Sequence, residues 1–488
     1  MDLSRLDFLK GVFSALGMGA FGGRRIFAAP PGWTPPKKAN LVFGVVSDTH
    51  LRTTTSGEYS TKYWSDKWLV AALKHFRSQS VDAVLHLGDM AHVGQVEEME
   101  FHAIAWRKVF PNDLAPDGHK VERLFVAGNH DWDATRYGIG ELVKKIYPDP
   151  EERKKHVLAT DMPGHWQRIW GEPYVGAWHR EVKGYHFFGR HFRTEEIKTA
   201  ELVKEIDAKC GLAKSGRPFF HFSHIRAHAN LNRALRPYPN AVGFFGHWHA
   251  SAANWNQIHM LSSGPTLQCP SCAPMGNNSL GAKKFDWTKV DIEGAEAAGK
   301  NRQGYVVRVY DDMVVFQRRE FGRGGSLGTD WVMPIVSEDS GKCEGWKHPF
   351  SKDELKKKIG EPQFRDGAKL EVAFSAAGTQ SGGEQKGTTS TESASLHIKI
   401  PLADGNKDSR VFLYNVEIRG DADVLHKSVY ASGVNMGIGH EPNKGVTTLV
   451  VPQSELPRGE TLAMTATPFS SLGTHGKSIS DQIVRKLV

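Results

Sequence analysis

Five short polar clusters, each closing an apolar run of strand length, constrain this chain more than any other feature. Leu41 to Ser47 (LVFGVVS) leads into Asp48-Thr49-His50, and Val81 to Leu87 (VDAVLHL) into Gly88-Asp89. Leu124 to Ala127 (LFVA) leads into Gly128-Asn129-His130-Asp131, Phe219 to Phe222 into His224, and Ala241 to Phe245 into Gly246-His247-Trp248-His249. Short apolar runs alternating with helical stretches such as Lys67 to Phe76 (KWLVAALKHF) predict strands covered on both faces in a layered α/β domain. Residues placed just past strand ends gather on one edge of a sheet. Glycines before Asp89, Asn129 and His247 let the backbone turn sharply there.

The side chains in these clusters are those of a metal site. Carboxylate and amide oxygens mixed with imidazoles suit Mn²⁺, Fe or Zn²⁺, and not Ca²⁺ or a thiolate-bound metal. Any one fragment is common; all five in order, each after a strand-like run, are not. His221 competes with His224 for the fourth cluster, but it falls inside its apolar run whereas His224 stands past the end.

The ordered set D-x-H, G-D, G-N-H-D, H, G-H-x-H resembles the calcineurin-like metallophosphoesterase superfamily, over roughly residues 41–265. The resemblance implies a β-sandwich flanked by helices. It implies that Asp48, His50 and His249 hold one divalent metal ion, that Asn129, His224 and His247 hold a second, and that Asp89 bridges them. His130 takes the place of the catalytic histidine and Asp131 that of the acid that orients it. In such a centre two cations neutralise the phosphate oxygens and metal-bound hydroxide attacks in line, with His130 as general acid. Purple acid phosphatases carry a tyrosine three residues after the G-D aspartate and lack the histidine of D-x-H. Here those positions are His92 and His50, so the chain departs from that subfamily. His92 is a candidate substrate contact, and Trp132, Trp248 and Trp255 stand near the motifs as candidate stacking or core residues.

The rest of the chain sets the context. Later strands are expected at Tyr185 to Phe188 and Ile258 to Leu261 without long helices between them. A hairpin is expected where Tyr305 to Tyr310 and Met313 to Arg318 flank Asp311-Asp312. Two packed sheets flanked by helices account for residues 40–325, the catalytic domain. Ser351 to Ile359 reads as a short helix with capping-box spacing. Beyond it, alternation at Leu370/Val372/Phe374, Leu396/Ile398/Ile400, Phe412/Tyr414/Val416/Ile418 and Leu462/Met464/Ala466 predicts a small all-β sandwich over residues 366–488. Leu456 to Glu460 (LPRGE) resembles the late strands of a fibronectin-type module. The polar stretch Ser375 to Ser395 reads as a mobile loop.

At the N-terminus, Gly11 to Gly23 is thirteen residues without a charge, preceded by Arg5 and Lys10. That is too short to span a bilayer and fits the apolar region of a signal peptide over residues 1–29. Ser4 to Lys10 resembles a twin-arginine signal with Leu6 where the second arginine belongs; a buried Gly-rich helix is the other reading. Export to the periplasm or cell surface follows from the first. It would allow a disulfide between Cys269 and Cys272, which with two more cysteines in 488 residues exclude a disulfide-rich scaffold.

Lys and Arg number 62 against 54 Asp and Glu, a net charge of +8. That suits an anionic partner, but no basic block supplies a nucleic-acid arm and no apolar run after the N-terminus is long enough for a membrane-spanning bundle. The expected partner is therefore a small-molecule phosphate ester, mono- or diester. A nuclease or nucleotide phosphodiesterase is the alternative enzyme, and a non-catalytic cell-surface binding protein with a relic metal site the alternative of another class.

Overall fold

The computed structural model describes residues 38–51, 67–132, 144–227, 229–261, 264–272, 302–336, 348–375, 378–379, 391–392, 394–404, 410–434, 437 and 442–485. Residues 1–29, read above as a signal peptide, and most of the polar stretch between Ser375 and Ser395 lie outside them.

Two six-stranded mixed sheets carry the larger part of the chain. The first joins β1 (Leu41–Val46), β2 (Ala83–His86), β3 (Glu122–Phe125), β10 (Gln303–Val309), β11 (Met313–Glu320) and β12 (Trp331–Pro334) in the order β12-β11-β10-β1-β2-β3. The second joins β4 (Ala177–Val182), β5 (Tyr185–Arg190), β6 (Phe219–Ser223), β7 (Ala241–Phe245), β8 (Ile258–Leu261) and β9 (Gly264–Gln268) in the order β4-β5-β6-β7-β9-β8. β1, β2 and β3 run parallel, as do β5, β6 and β7. β10 and β11 form the antiparallel hairpin expected from Asp311-Asp312.

The LVFGVV run of β1 has no polar face because both its faces are covered. Leu41, Phe43 and Val45 face the second sheet, where the Phe43 ring meets Phe187, Phe220 and Phe244 at centroid distances of 5.4, 4.8 and 6.0 Å. Val42 and Val46 face the helices Lys67–Ser78 and Val96–Val109. Gly44 lies on that helical side, where an added Cβ would fall 2.6 Å from the Phe76 ring, so only glycine lets the helix approach this closely.

One helix departs from expectation. Glu196–Cys210, fifteen residues long, stands between β5 and β6, where no long helix was predicted. It buries only Thr199, Ala200 and Val203, and so narrow an apolar stripe gives almost no periodic signal.

Past the first sheet, Ser351 caps the short helix Lys352–Lys356 by accepting from the Glu354 amide at 3.4 Å. The C-terminal region is built from antiparallel sheets, chiefly a three-stranded and a four-stranded one. Leu396, Ile398, Ile400, Tyr414, Val416, Ile418, Leu462, Met464 and Ala466 form their shared core. This unit is keyed into the larger one. Ser471 accepts from the Trp255 amide at 3.0 Å, and Leu472 enters the core between the two large sheets.

Candidate metal centre

The ends of β1, β2 and β3 meet the ends of β6 and β7 along one edge of the two sheets. Backbone bonds stitch the loops together there: Asp48 N donates to Gly88 O (3.0 Å), His50 N to Asp89 O (3.0 Å), and Gly246 N to His224 O (2.9 Å). Side chains more than two hundred positions apart in the chain are thereby brought into contact.

Asp48, His50 and His249 present ligand atoms within 4.8 Å of one another, and so do Asp89, His224 and His247. In the first group His249 Nε2 lies 3.2 Å and His50 Nε2 3.8 Å from Asp48 Oδ1, and the two imidazole Nε2 atoms are 3.0 Å apart. In the second, His224 Nε2 is 3.1 Å from Asp89 Oδ2 and 3.3 Å from His247 Nδ1. Asp89 stands between the groups, since the same Oδ2 is 3.7 Å from His50 Nε2. Asn129 is buried at the start of the short helix Asn129–Trp132.

Five of these residues hold a left-handed backbone: Asp48 (φ 52°), His50 (44°), Asp89 (54°), His247 (73°) and His249 (50°). For residues with a Cβ this costs of order 1–3 kcal/mol each and persists only where the surroundings impose it. Such strain, repeated at one spot, marks a site selected for side-chain placement. Glycines make the room. A Cβ on Gly128 would sit 2.2 Å from Asp89 Oδ1, and one on Gly246 would sit 2.0 Å from Ser47 Oγ.

Electrostatics separate the groups. Burial would raise the Asp48 carboxyl, but His249, His50 and His224 outweigh it and hold it well below the usual carboxylate range. Asp89 is likewise lowered, by His224, His130 and His50 against its burial. Burial pushes His50 down to about 3 and His247 to about 4. His224 goes the other way, to about 9, because Asp89 and Asp48 overcome its burial. The edge therefore presents two anionic carboxylates, imidazoles at His50 and His247 that burial keeps neutral, and a His224 that its carboxylate neighbours hold protonated. Only one proton can lie between His50 Nε2 and His249 Nε2, so the arrangement gathers lone pairs instead of dispersing them. That is the donor set of a divalent transition metal, and these residues fit one.

His130 and Asp131 sit beside the cradle, but the two side chains are not hydrogen-bonded to each other as the resemblance implied. The His130 ring lies 4.6 Å from that of His50, and its Nδ1 donates to the His92 carbonyl at 2.7 Å. Asp131 accepts backbone N–H bonds from Gly128 (2.7 Å), Ala91 (2.8 Å) and Asp89 (3.1 Å). The orienting contact on His130 thus comes from a main-chain carbonyl, while Asp131 clamps the β2 and β3 loops together. Burial, then the neighbouring Asp89 charge, raises Asp131 to about 7.

His92 backs onto the cradle, its Nδ1 3.3 Å from His50 Nδ1. His221 faces the sheet interior near Gly243 and Thr266, away from the cradle. Trp255 is a core residue packed on Trp331, whereas Trp248 is 43% exposed beside the site. Cys269 and Cys272 are buried free thiols, donating to the carbonyls of Val45 and Gln303, and not the expected disulfide. Sequence reasoning missed the arginines Arg190, Arg193 and Arg226, which line a pocket sharing His224 with the cradle.

The family model described as calcineurin-like phosphoesterase matches residues 41–251. The matched stretch contains every strand end that delivers a side chain to the cradle. Among solved structures, a dimetal phosphatase from Danio rerio is 11% identical, with 61% of this chain and 100% of that chain covered and a TM-score of 0.34. A purple acid phosphatase from yellow lupin (Lupinus luteus) seeds is also 11% identical, with 64% of this chain covered and a TM-score of 0.39. This chain spans 56% of the lupin enzyme's length. An archaeal phosphodiesterase is 12% identical, with 55% of this chain and 92% of that chain covered and a TM-score of 0.22. No curated protein matches the chain.

Proposed function

We propose that the protein hydrolyses a phosphate mono- or diester of a small organic molecule at a dinuclear metal centre. The observation that carries this reading is the convergence of two three-residue ligand groups, one of which contains Asp89 and reaches the other through it, with His130 adjoining. Asp48, His50 and His249 would hold one ion, Asn129, His224 and His247 the other, and Asp89 would serve both. A cation pair in such a cradle neutralises phosphoryl oxygens and lowers the pKa of a coordinated water toward neutrality.

The chain's own residues do the rest. The anionic Asp48 and Asp89 fix the charge of the cradle, and Asn129 adds a neutral ligand that does not reduce Lewis acidity. As an imidazolium, His130 can donate from Nδ1 to the His92 carbonyl and from Nε2 to the departing oxygen. After the proton leaves Nε2, the Nδ1–H tautomer remains, and the His92 carbonyl stabilises that tautomer.

Purified protein supplied in turn with Mn²⁺, Fe²⁺ and Zn²⁺ should hydrolyse chromogenic mono- or diesters only when loaded. His130→Ala should lower kcat by roughly 10²–10⁴-fold with metal content near that of the parent. Full activity in that variant removes His130 from the proton-donor role. No turnover of any ester by fully loaded protein would favour the binding-protein reading instead. Export, read from residues 1–29, belongs to this proposal and is tested by cell fractionation with sequencing of the mature N-terminus.

A further inference from the structure

Beside the cradle lies a pocket of about 510 Å³, walled by the end of β5, the segment that follows it and the end of β6. Its wall includes His224, one of the cradle's imidazoles, so the two spaces adjoin. The pocket's chemistry differs from that of the cradle. Arg190, Arg193 and Arg226 all line it, against Glu195 and Glu196.

The three guanidinium groups are held in different ways. Arg190 is nearly buried; its Nη1 donates to the Thr194 carbonyl at 2.7 Å and its Nη2 to Ser223 Oγ at 3.2 Å, with Glu196 at 3.8 Å. Arg190 and Glu196 thus largely cancel. Arg193 lies over the Trp132 ring at 5.0 Å and Arg226 over the Trp248 ring at 5.3 Å. Those two tryptophans belong to the G-N-H-D-W and G-H-W-H segments, so each arginine–indole pair adjoins a segment that delivers side chains to the cradle. Stacking uses the face of a guanidinium, whereas recognition of a carboxylate or phosphate uses its edge.

The loop carrying Arg193 is fastened to the catalytic edge. Ala127 N donates to His191 Nδ1 at 2.9 Å, and Phe192 N donates to Ala127 O at 3.0 Å, one residue before the G-N-H-D segment. Arg193 itself has a left-handed backbone (φ 69°). Among the described lining residues, three guanidinium groups stand against the two carboxylates of Glu195 and Glu196.

We propose that this pocket is a specificity subsite for a second anionic group, a carboxylate or a phosphate, carried by the phosphoester beyond its scissile phosphorus. The subsite rests on reading the cradle as the phosphoryl site. A substrate with two anionic groups would place one in the cradle and the other between Arg226 and Arg193. A singly anionic ester would leave the arginines unused.

The test uses metal-loaded, full-length protein and two non-hydrolysable ligands, benzylphosphonate and 4-carboxybenzylphosphonate, which differ by one carboxylate. By calorimetry the carboxylated ligand should bind with a Kd lower by about tenfold or more, the gain of one charge-assisted hydrogen bond. In Arg226→Gln and Arg193→Gln, both at the rim, the ratio of the two Kd values should fall toward one. The KM ratio of phenyl phosphate to 4-carboxyphenyl phosphate should change in parallel. Equal binding of the two phosphonates, or a preference that survives both substitutions, overturns the subsite while leaving hydrolysis at the cradle intact. Persistence of the preference without turnover of either ester would instead remove the catalytic reading and leave an anion-binding pocket.

Discussion

At Gly128 the backbone passes so close to Asp89 that a single methyl group would collide with both the carboxylate (2.2 Å) and its amide (2.4 Å). Gly128→Ala should therefore displace the carboxylate that stands between the two ligand groups. We expect metal content measured by elemental analysis to fall below that of the parent, and turnover to fall with it. Overpacking of this kind costs about 1–3 kcal/mol, so the variant should still fold. Normal metal content in Gly128→Ala would show that Asp89 does not hold the ions in place. The same reasoning explains why five polar residues of the cradle hold positive φ: an ordinary strand exit would aim their side chains along the sheet, away from the shared edge.

Among the elements, β1 carries the most. It delivers Asp48 and His50, pairs with both β2 and β10, and buries side chains on two faces. Phe43 sits where the two large sheets touch, edge-on to three other rings. Phe43→Ala should cost roughly 3–5 kcal/mol, read as a lower denaturant midpoint with an unchanged slope. A loss under about 1 kcal/mol would mean that the sheets close over the gap. The helix Glu196–Cys210 is the opposite case. It is placed by its connection between parallel strands, which requires a crossover, more than by its own thin apolar stripe. Its start also carries part of the arginine pocket.

Across the whole molecule, several histidines away from the cradle are buried and neutral. Burial pushes His191 down to about 3, and His221 and His348 to about 4. Their folded values lie below the unfolded value of roughly 6.5, so the unfolded chain binds protons first. The stability they supply is complete above about pH 6.5 and is lost as pH falls toward 4, at up to about 1.4 kcal/mol per pH unit for each. The melting temperature of chelator-treated protein should drop between pH 7 and pH 5. A flat profile over that range would mean that these imidazoles are protonated in the fold. The attachment of the C-terminal sheets through Ser471 and Leu472 makes them part of the same cooperative unit, so one transition is expected.

Sequence alone determined most strands of the two large sheets, though not β4, β9 or β12, together with the order of their polar ends and the residue types gathered there. Those signals are local: an apolar run, a glycine and a ligand lie within about ten positions of each other. The alternation that marks the C-terminal sheets is local in the same sense. Tertiary structure alone decided which side chains touch. It handed the orientation of His130 to the carbonyl of His92 and turned Asp131 into a clamp between loops. It left Cys269 and Cys272 as separate thiols and grouped Arg190, Arg193 and Arg226, which no spacing links. Contacts between strand ends depend on how two sheets pack, and that geometry is set by the whole core at once, so no single stretch of chain records it.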